Sequence, residues 1–248
     1  MPLYYDSMDL SDKEIRIFAV CATGAGMSLG LLFYDSPVAG LITSLLLVLF
    51  FPAYKKRLVE KRKGELLIQF RDMLYSVSAS VSAGRNMEQA MEESISFWSA
   101  TYTEEDYIIK ELKYMTGRIK SSNEKDTVVL RDFAERSGLE DVADFVSVYE
   151  SCRSAGGNLA QAINRATTII GDKITLDKEL NNLMAQKVFE SRVVTGAPVV
   201  LMLFLRLASP EYLEPMFTTE QGRMITTFAL LLMAGALIMM ERINHIEI

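Results

Sequence analysis

Four apolar runs, two near each end, limit this chain more than any other feature. The first extends from Ile15 to Tyr34 with only Arg16 charged near its start, and the second from Val38 to Tyr54. The third covers Val193 to Ser209, with Arg206 inside it, and the fourth covers Met224 to Met240. A helix needs about 20 apolar residues to cross the hydrocarbon core of a bilayer. Asp35-Ser36-Pro37 between the first two is a tight turn, so they predict a transmembrane hairpin, and the last two predict another. A cleaved signal peptide would carry a shorter apolar core and would not be followed at once by a second span. Between the pairs the chain is charged and its apolar residues recur with a helical period, without any β alternation. The expected fold is therefore all-α: an integral membrane protein with four transmembrane helices and a cytoplasmic helical bundle between the two hairpins. Its parts are an N-terminal segment and hairpin at 1–54, a cytoplasmic domain at 55–192, and a C-terminal hairpin with a short tail at 193–248.

Orientation follows from charge. Lys55, Lys56, Arg57, Lys61, Arg62 and Lys63 crowd past the second run, offset by Glu60. Under the positive-inside rule this flank is cytoplasmic. The opposite loops agree: Asp35 has no basic companion, and the loop from Pro210 to Gly222 carries Glu211, Glu214 and Glu220. Both termini are then cytoplasmic, in a multi-pass protein of the cell (inner) membrane. The basic cluster also favours anionic lipid headgroups, and that orienting role needs no protein ligand. The net charge of −6 argues against nucleic acid as a partner. Cys21 and Cys152 fall in a membrane run and a soluble helix, so no disulfide framework is expected.

One phrase occurs twice in the middle of the chain. Ser82-Ala83-Gly84-Arg85-Asn86-Met87-Glu88-Gln89-Ala90-Met91 returns 72 residues later as Ser154-Ala155-Gly156-Gly157-Asn158-Leu159-Ala160-Gln161-Ala162-Ile163. It reads as a helix stop followed by a helix start. Gly84 and Gly156 suit the C′ position, where a left-handed backbone is cheap without a Cβ. Asn86 and Asn158 suit the N-cap, and Gln89 and Gln161 stand where a capping box needs them. Each copy closes an αα-hairpin, and the two turns are expected at one end of the bundle. Around them the apolar period predicts about six helices. These include one ending at Gly84, one from Met87 to about Trp98, and one carrying Ile108, Leu112, Met115 and Ile119. Asp126 is the expected N-cap of a helix over Thr127 to Ser137, which Gly138 stops. The next carries Val142, Phe145, Val146 and Tyr149 to Gly156, and the last starts after Asn158 and runs on towards the membrane.

Two smaller features lie in the membrane runs. Ala22, Gly26 and Gly30 form a small-residue stripe, which either lets another helix approach closely or is ordinary glycine content. Arg206, near the outer end of its run, is expected to snorkel to the interface.

Residues for catalysis are missing. The chain has no Gly-x-x-x-x-Gly-Lys-Ser/Thr loop, no Gly-x-Ser-x-Gly elbow and a single histidine, His245. Carboxylate pairs such as Glu92-Glu93 sit in charge-laced helical stretches and read as solvated faces. No catalytic, metal or cofactor site is expected, and the chain reads as a scaffold, not an enzyme.

Phe70-x-x-x-Leu74 followed by Ala83-Gly84-x-x-Met87-x-x-Ala90-Met91 resembles the type II secretion system F domain. So does Leu130-x-x-Phe133-Ala134-x-x-Ser137-Gly138 followed by Ser154-Ala155-Gly156-Gly157-Asn158-Leu159-x-x-Ala162-Ile163. The resemblance covers roughly residues 64 to 210 and is nearest to the single-copy inner-membrane platform proteins of tight-adherence (Flp-type) pilus systems. It implies a platform subunit that couples a cytoplasmic secretion ATPase to extraction of pilin subunits from the membrane. The implied partners are that ATPase, a paralogous platform subunit, further copies of the chain, pilin and the lipid bilayer. The rival reading is a small helical transporter or channel subunit with a cytoplasmic regulatory domain, against which the scarcity of polar residues in the spans argues.

Overall fold

The computed structural model describes residues 4–5, 12–49 and 51–244. Among them there are ten helices and no strand. They are α1 (Asp12–Tyr34), α2 (Pro37–Val48), α3 (Phe51–Ser82), α4 (Met87–Trp98), α5 (Tyr107–Ser122), α6 (Asp126–Ser137), α7 (Glu140–Ala155), α8 (Leu159–Ala208), α9 (Pro210–Thr218) and α10 (Glu220–Asn244). The chain divides into two compact units. The first comprises Met1–Asp9 and Lys55–Asp177, the second Leu10–Tyr54 and Lys178–Ile248.

The first unit is a bundle in which α3 to α7 and the start of α8 alternate in direction. Trp98 meets Asp72 and Ser94 meets Ser76, so α3 and α4 are antiparallel. Arg136 reaches Glu111 between α5 and α6, and Arg153 reaches Asp126 between α6 and α7. Lys173 reaches Asp141 between α7 and α8. The apolar residues recur at three- and four-residue intervals, which gives each helix one inward stripe. Leu66, Phe70, Met73, Leu74 and Val77 of α3 are all buried. Phe70 packs against Phe133 at 5.8 Å and Phe145 at 5.6 Å between ring centres, so three helices share one aromatic contact. Burying one such side chain contributes roughly 1.5–3 kcal/mol.

Asp126 is not the cap of α6 but its first residue, with Lys125 before it. Its carboxylate lies inside the bundle, where it accepts the Tyr149 hydroxyl at 2.7 Å and pairs with Arg153.

In the second unit α1 and α2 form a close hairpin on the Ala22–Gly26–Gly30 stripe. A Cβ at Gly26 would overlap the Ser44 backbone, and one at Gly30 would overlap the Gly40 nitrogen. The Thr43 hydroxyl donates to the Gly26 carbonyl at 2.7 Å across the pair. Small residues therefore let the two backbones approach, and the stripe serves the chain's own second helix.

Among the described residues two helices are long and apolar enough to cross a membrane, Lys13–Tyr34 and the stretch within Leu159–Ala208; a third counts if α2 and α3 are taken together as one bent span. The expected span over Val38 to Tyr54 is interrupted, because α2 stops at Val48 and α3 starts at Phe51. Pro52 accounts for this: it lacks an N–H, and in a continuous helix its ring would clash with the carbonyl of Val48, four residues earlier. The expected fourth span, Met224 to Met240, falls within α10, where the side chains of Leu237 and Met240 and of the tail at Glu241-Arg242 are not described; Ser11 and His245 lie outside the described residues. The expected loop from Pro210 is instead mostly α9, opened by Pro210 and held by buried Leu213.

Arg206 does not simply snorkel. It pairs with Asp35 and donates to the carbonyls of Leu31 and, at 3.3 Å, Leu32 at the end of α1. Its guanidinium also lies 5.6 Å from the centre of the Phe217 ring. A cation at the carbonyl end of a helix meets the negative end of its dipole.

Candidate functional site

The repeated phrase builds one end of the bundle. Gly84 has φ 88° and Gly156 φ 68°, both left-handed. At the first turn the Arg85 amide donates to the Ser80 carbonyl at 3.1 Å and the Gly84 amide to Val81 at 3.0 Å. This satisfies carbonyls that α3 leaves open as it stops. At the second, the Gly157 amide donates to Cys152 at 2.8 Å. Asn86 accepts the Gln89 amide at 2.8 Å, and the Gln89 side chain accepts the Asn86 amide at 3.4 Å, a complete capping box. Asn158 accepts the Gln161 amide at 3.1 Å. Among the described residues the reciprocal bond is made only in the first copy.

The two turns lie side by side. Arg85, Asn86 and Met87 from one, with Arg153, Leu159 and Ile163 from the other, line a cavity of about 240 Å³. This end lies at the far end of α3 from Lys55 and at the far end of α8's share of the bundle from Asp177. Arg85 pairs with Glu93 at 3.1 Å and Arg153 with Asp126, so its guanidinium charges are balanced locally. Burial pushes the Tyr149 phenol well above its ordinary value.

The basic cluster occupies the other end of α3. At 100° per residue its six members are spread around the helix, forming a collar. Lys56 faces Glu60 at 3.6 Å and Lys61 faces Glu65 at 3.9 Å, so Glu65 offsets the cluster as well as Glu60. Lys63 donates to the Gly138 carbonyl at 3.1 Å, where α6 ends.

Near the collar lies a buried polar group that the apolar period did not reveal. Glu111 and Arg136 have side chains 3% and 2% exposed and form a two-pronged pair at 2.8 and 2.7 Å. The Tyr5 hydroxyl donates to the same carboxylate at 3.1 Å, and the Tyr5 amide donates to the Arg136 carbonyl at 3.0 Å. Tyr5 is itself 1% exposed. Burial, then the charge of Glu111, hold its phenol far above the usual range. Burial works against the Arg136 charge, but Glu111 and Asp132 outweigh it, and the guanidinium holds its proton more tightly than usual. The sequence signal was present: Glu111 stands three residues after Ile108 and four before Met115, on the apolar stripe of α5. Arg136 likewise stands three after Phe133 on that of α6.

Among the described residues no three His, Cys, Asp or Glu side chains converge as a metal site requires. No family model, no curated protein and no solved structure matches the chain.

Proposed function

We propose that the chain is an inner-membrane platform subunit of a type II secretion or tight-adherence-like pilus assembly machine. In this reading it passes movement of a cytoplasmic ATPase to pilin subunits leaving the bilayer. The docking of Tyr5 is the observation that carries the proposed layout. Residue 5 is buried in the same bundle that begins at Lys55, so the apolar chain between them leaves that side and returns to it. This supports a membrane hairpin made by α1 with α2 and the start of α3. The collar around Lys55 to Lys63 supports a cytoplasmic bundle. On this reading α8 carries the third span and α10 the fourth, which returns the C-terminus to the cytoplasm. The turn end, away from both chain exits of the bundle, is the surface offered to the ATPase.

Two experiments test this. Cysteines introduced at Ser36 and Thr218 are expected to label from outside intact cells, while one at Ser121 is not; labelling of Ser121 overturns the orientation. Cells lacking the protein are expected to keep a folded ATPase and membrane-lodged pilin yet make no fibre. Normal fibres in such cells, with no paralogue to compensate, would sink the platform reading in favour of a transporter.

A further inference from the structure

The apolar stretch of α8 is shorter than a bilayer core, and its outer end is held in place. Arg206 pairs with Asp35, donates to the carbonyls of Leu31 and Leu32, and lies against the Phe217 ring. These partners fix its charge at the end of α1, so Arg206 and Asp35 share one outer level. Counted inwards from there, Arg192 is fourteen residues away, about 21 Å of helix. Arg192 is exposed, and its long stem lets the guanidinium reach back towards the headgroups. Glu190 has a shorter stem, bonded to the Gln186 side-chain amide at 3.0 Å, and lies sixteen residues from Arg206, about 24 Å of helix. A hydrocarbon core of about 30 Å needs about 20 residues. Measured from Arg206 it would take in Lys187, Glu190 and Arg192. Tilt, or a bend at Pro198, only shortens the distance that α8 covers. By contrast α1 is nearly matched, with nineteen residues from Arg16 to Asp35, about 28 Å. The short stretch also faces outward: almost none of it is buried inside the chain, and Val194, Val200, Phe204 and Leu207 are exposed.

We infer that the protein thins the bilayer beside α8, drawing the cytoplasmic headgroups inward by about 6 Å until they meet Glu190 and Arg192. Deforming a bilayer costs little per ångström, whereas each charge drawn into hydrocarbon is expensive, so three charges on α8 outweigh the deformation. The inference rests on α8 crossing the bilayer, as proposed above. In the platform reading, a thinned patch shortens the apolar path that a pilin segment leaving beside α8 has to give up.

Spin labels measure the depth. The full-length chain carrying Cys21→Ser and Cys152→Ser, with a nitroxide on Val194→Cys or Val200→Cys, is reconstituted into dioleoylphosphatidylcholine vesicles. Depth is read from collisions of each label with oxygen and with a water-soluble nickel chelate. Val194 stands four residues in from Glu190, so its label is expected about 6 Å inside the hydrocarbon, against about 12 Å in a core of full thickness. Glu190→Leu with Arg192→Leu extends the apolar stretch to Lys187 and is expected to move that label inward by about 4 Å. A wild-type depth of about 10 Å or more, or an unchanged depth in the double variant, would overturn the inference. So would spin–spin broadening that rises with protein density, which would place a second copy of the chain, not lipid, against α8. A Val200 label that meets the nickel chelate more than oxygen removes the crossing itself, and the inference with it. A deep Val200 label beside an equally deep Val194 label removes the inference alone.

Discussion

Replacing Arg136 with methionine tests the structure where its energetics are sharpest. Methionine keeps an unbranched stem of similar length but removes both bonds to Glu111. The carboxylate, 3% exposed, would keep only the Tyr5 hydroxyl. Breaking a buried pair on one side costs about 3–5 kcal/mol, because an uncompensated charge remains. Asp132 would lose its bond from Arg136 Nε but keep Arg118 at 2.8 Å, so little is added there. Trp98 is the only tryptophan and lies in the bundle, so its fluorescence reports urea unfolding of that unit in detergent. At a slope of about 2 kcal/mol per molar urea, the midpoint is expected to fall by about 1.5–2.5 M. Replacing both partners by apolar groups removes the charge, and such changes are often neutral or stabilising. Glu111→Leu with Arg136→Met would still strand the buried Tyr5 hydroxyl, at about 1–3 kcal/mol, so Tyr5→Phe is added. The triple variant is expected to recover most of the loss. A shift below about 0.5 M in Arg136→Met, or a triple variant no more stable than it, refutes the reasoning.

At the second turn, Gly156→Val places a β-branched residue at φ 68° and is expected to cost at least ~1 kcal/mol, with Asn158→Ala costing roughly 0.5–2 kcal/mol. Unchanged urea midpoints for both would refute the stop–start reading of the phrase. In the α1–α2 hairpin, Gly30→Val is expected to force α1 from α2 at about 1–3 kcal/mol, while Gly24→Val, in open space, is tolerated; equal yields of monodisperse protein on size exclusion would count against the packing. At alkaline pH the Tyr5 and Tyr149 phenols, held above their ordinary value of 10 chiefly by burial, stay neutral in the folded chain while the unfolded chain ionises. Their contribution is intact below about pH 10 and is lost as pH rises further, at ~1.4 kcal/mol per unit for each tyrosine. Tyr149→Phe is expected to reduce that slope, read from urea midpoints between pH 9.5 and 11, and an unaltered slope contradicts it.

The helices of the bundle were legible because their apolar stripes and stop residues are local signals. Gly84, Gly138 and Gly156 each end a helix in a left-handed conformation, which a sequence can announce. The interruption after Val48 was less visible, since a strong apolar run conceals a proline four residues on. The same holds for α9, where Pro210 reads as a breaker and acts as a first helical residue. The buried ion pair was missed for another reason. A charged residue on an apolar stripe is read as exposed unless its partner is known, and Glu111 and Arg136 lie on different helices.

Tyr5 ties the local chemistry to the topology. An apolar side chain at this position could settle on any greasy patch of the bundle. A phenol whose hydroxyl must reach a carboxylate already held by Arg136, and whose own amide must reach the Arg136 carbonyl, has one register only. That restriction is paid in desolvated charge, which rarely improves stability but can select one arrangement over others. Fixing Tyr5 and Lys55 in one unit also closes the chain from 12 to 54 into a loop anchored at both ends. Such a loop can enter a bilayer only as a hairpin. In lipid, two apolar helices gain nothing from hiding from water, so they need close packing to stay together. Gly26 against Ser44 and Gly30 against Gly40 provide that contact. In the proposed topology the polar latch at Tyr5 and the glycine contacts between α1 and α2 serve one arrangement, the first fixing where the chain starts and the second holding α1 against α2.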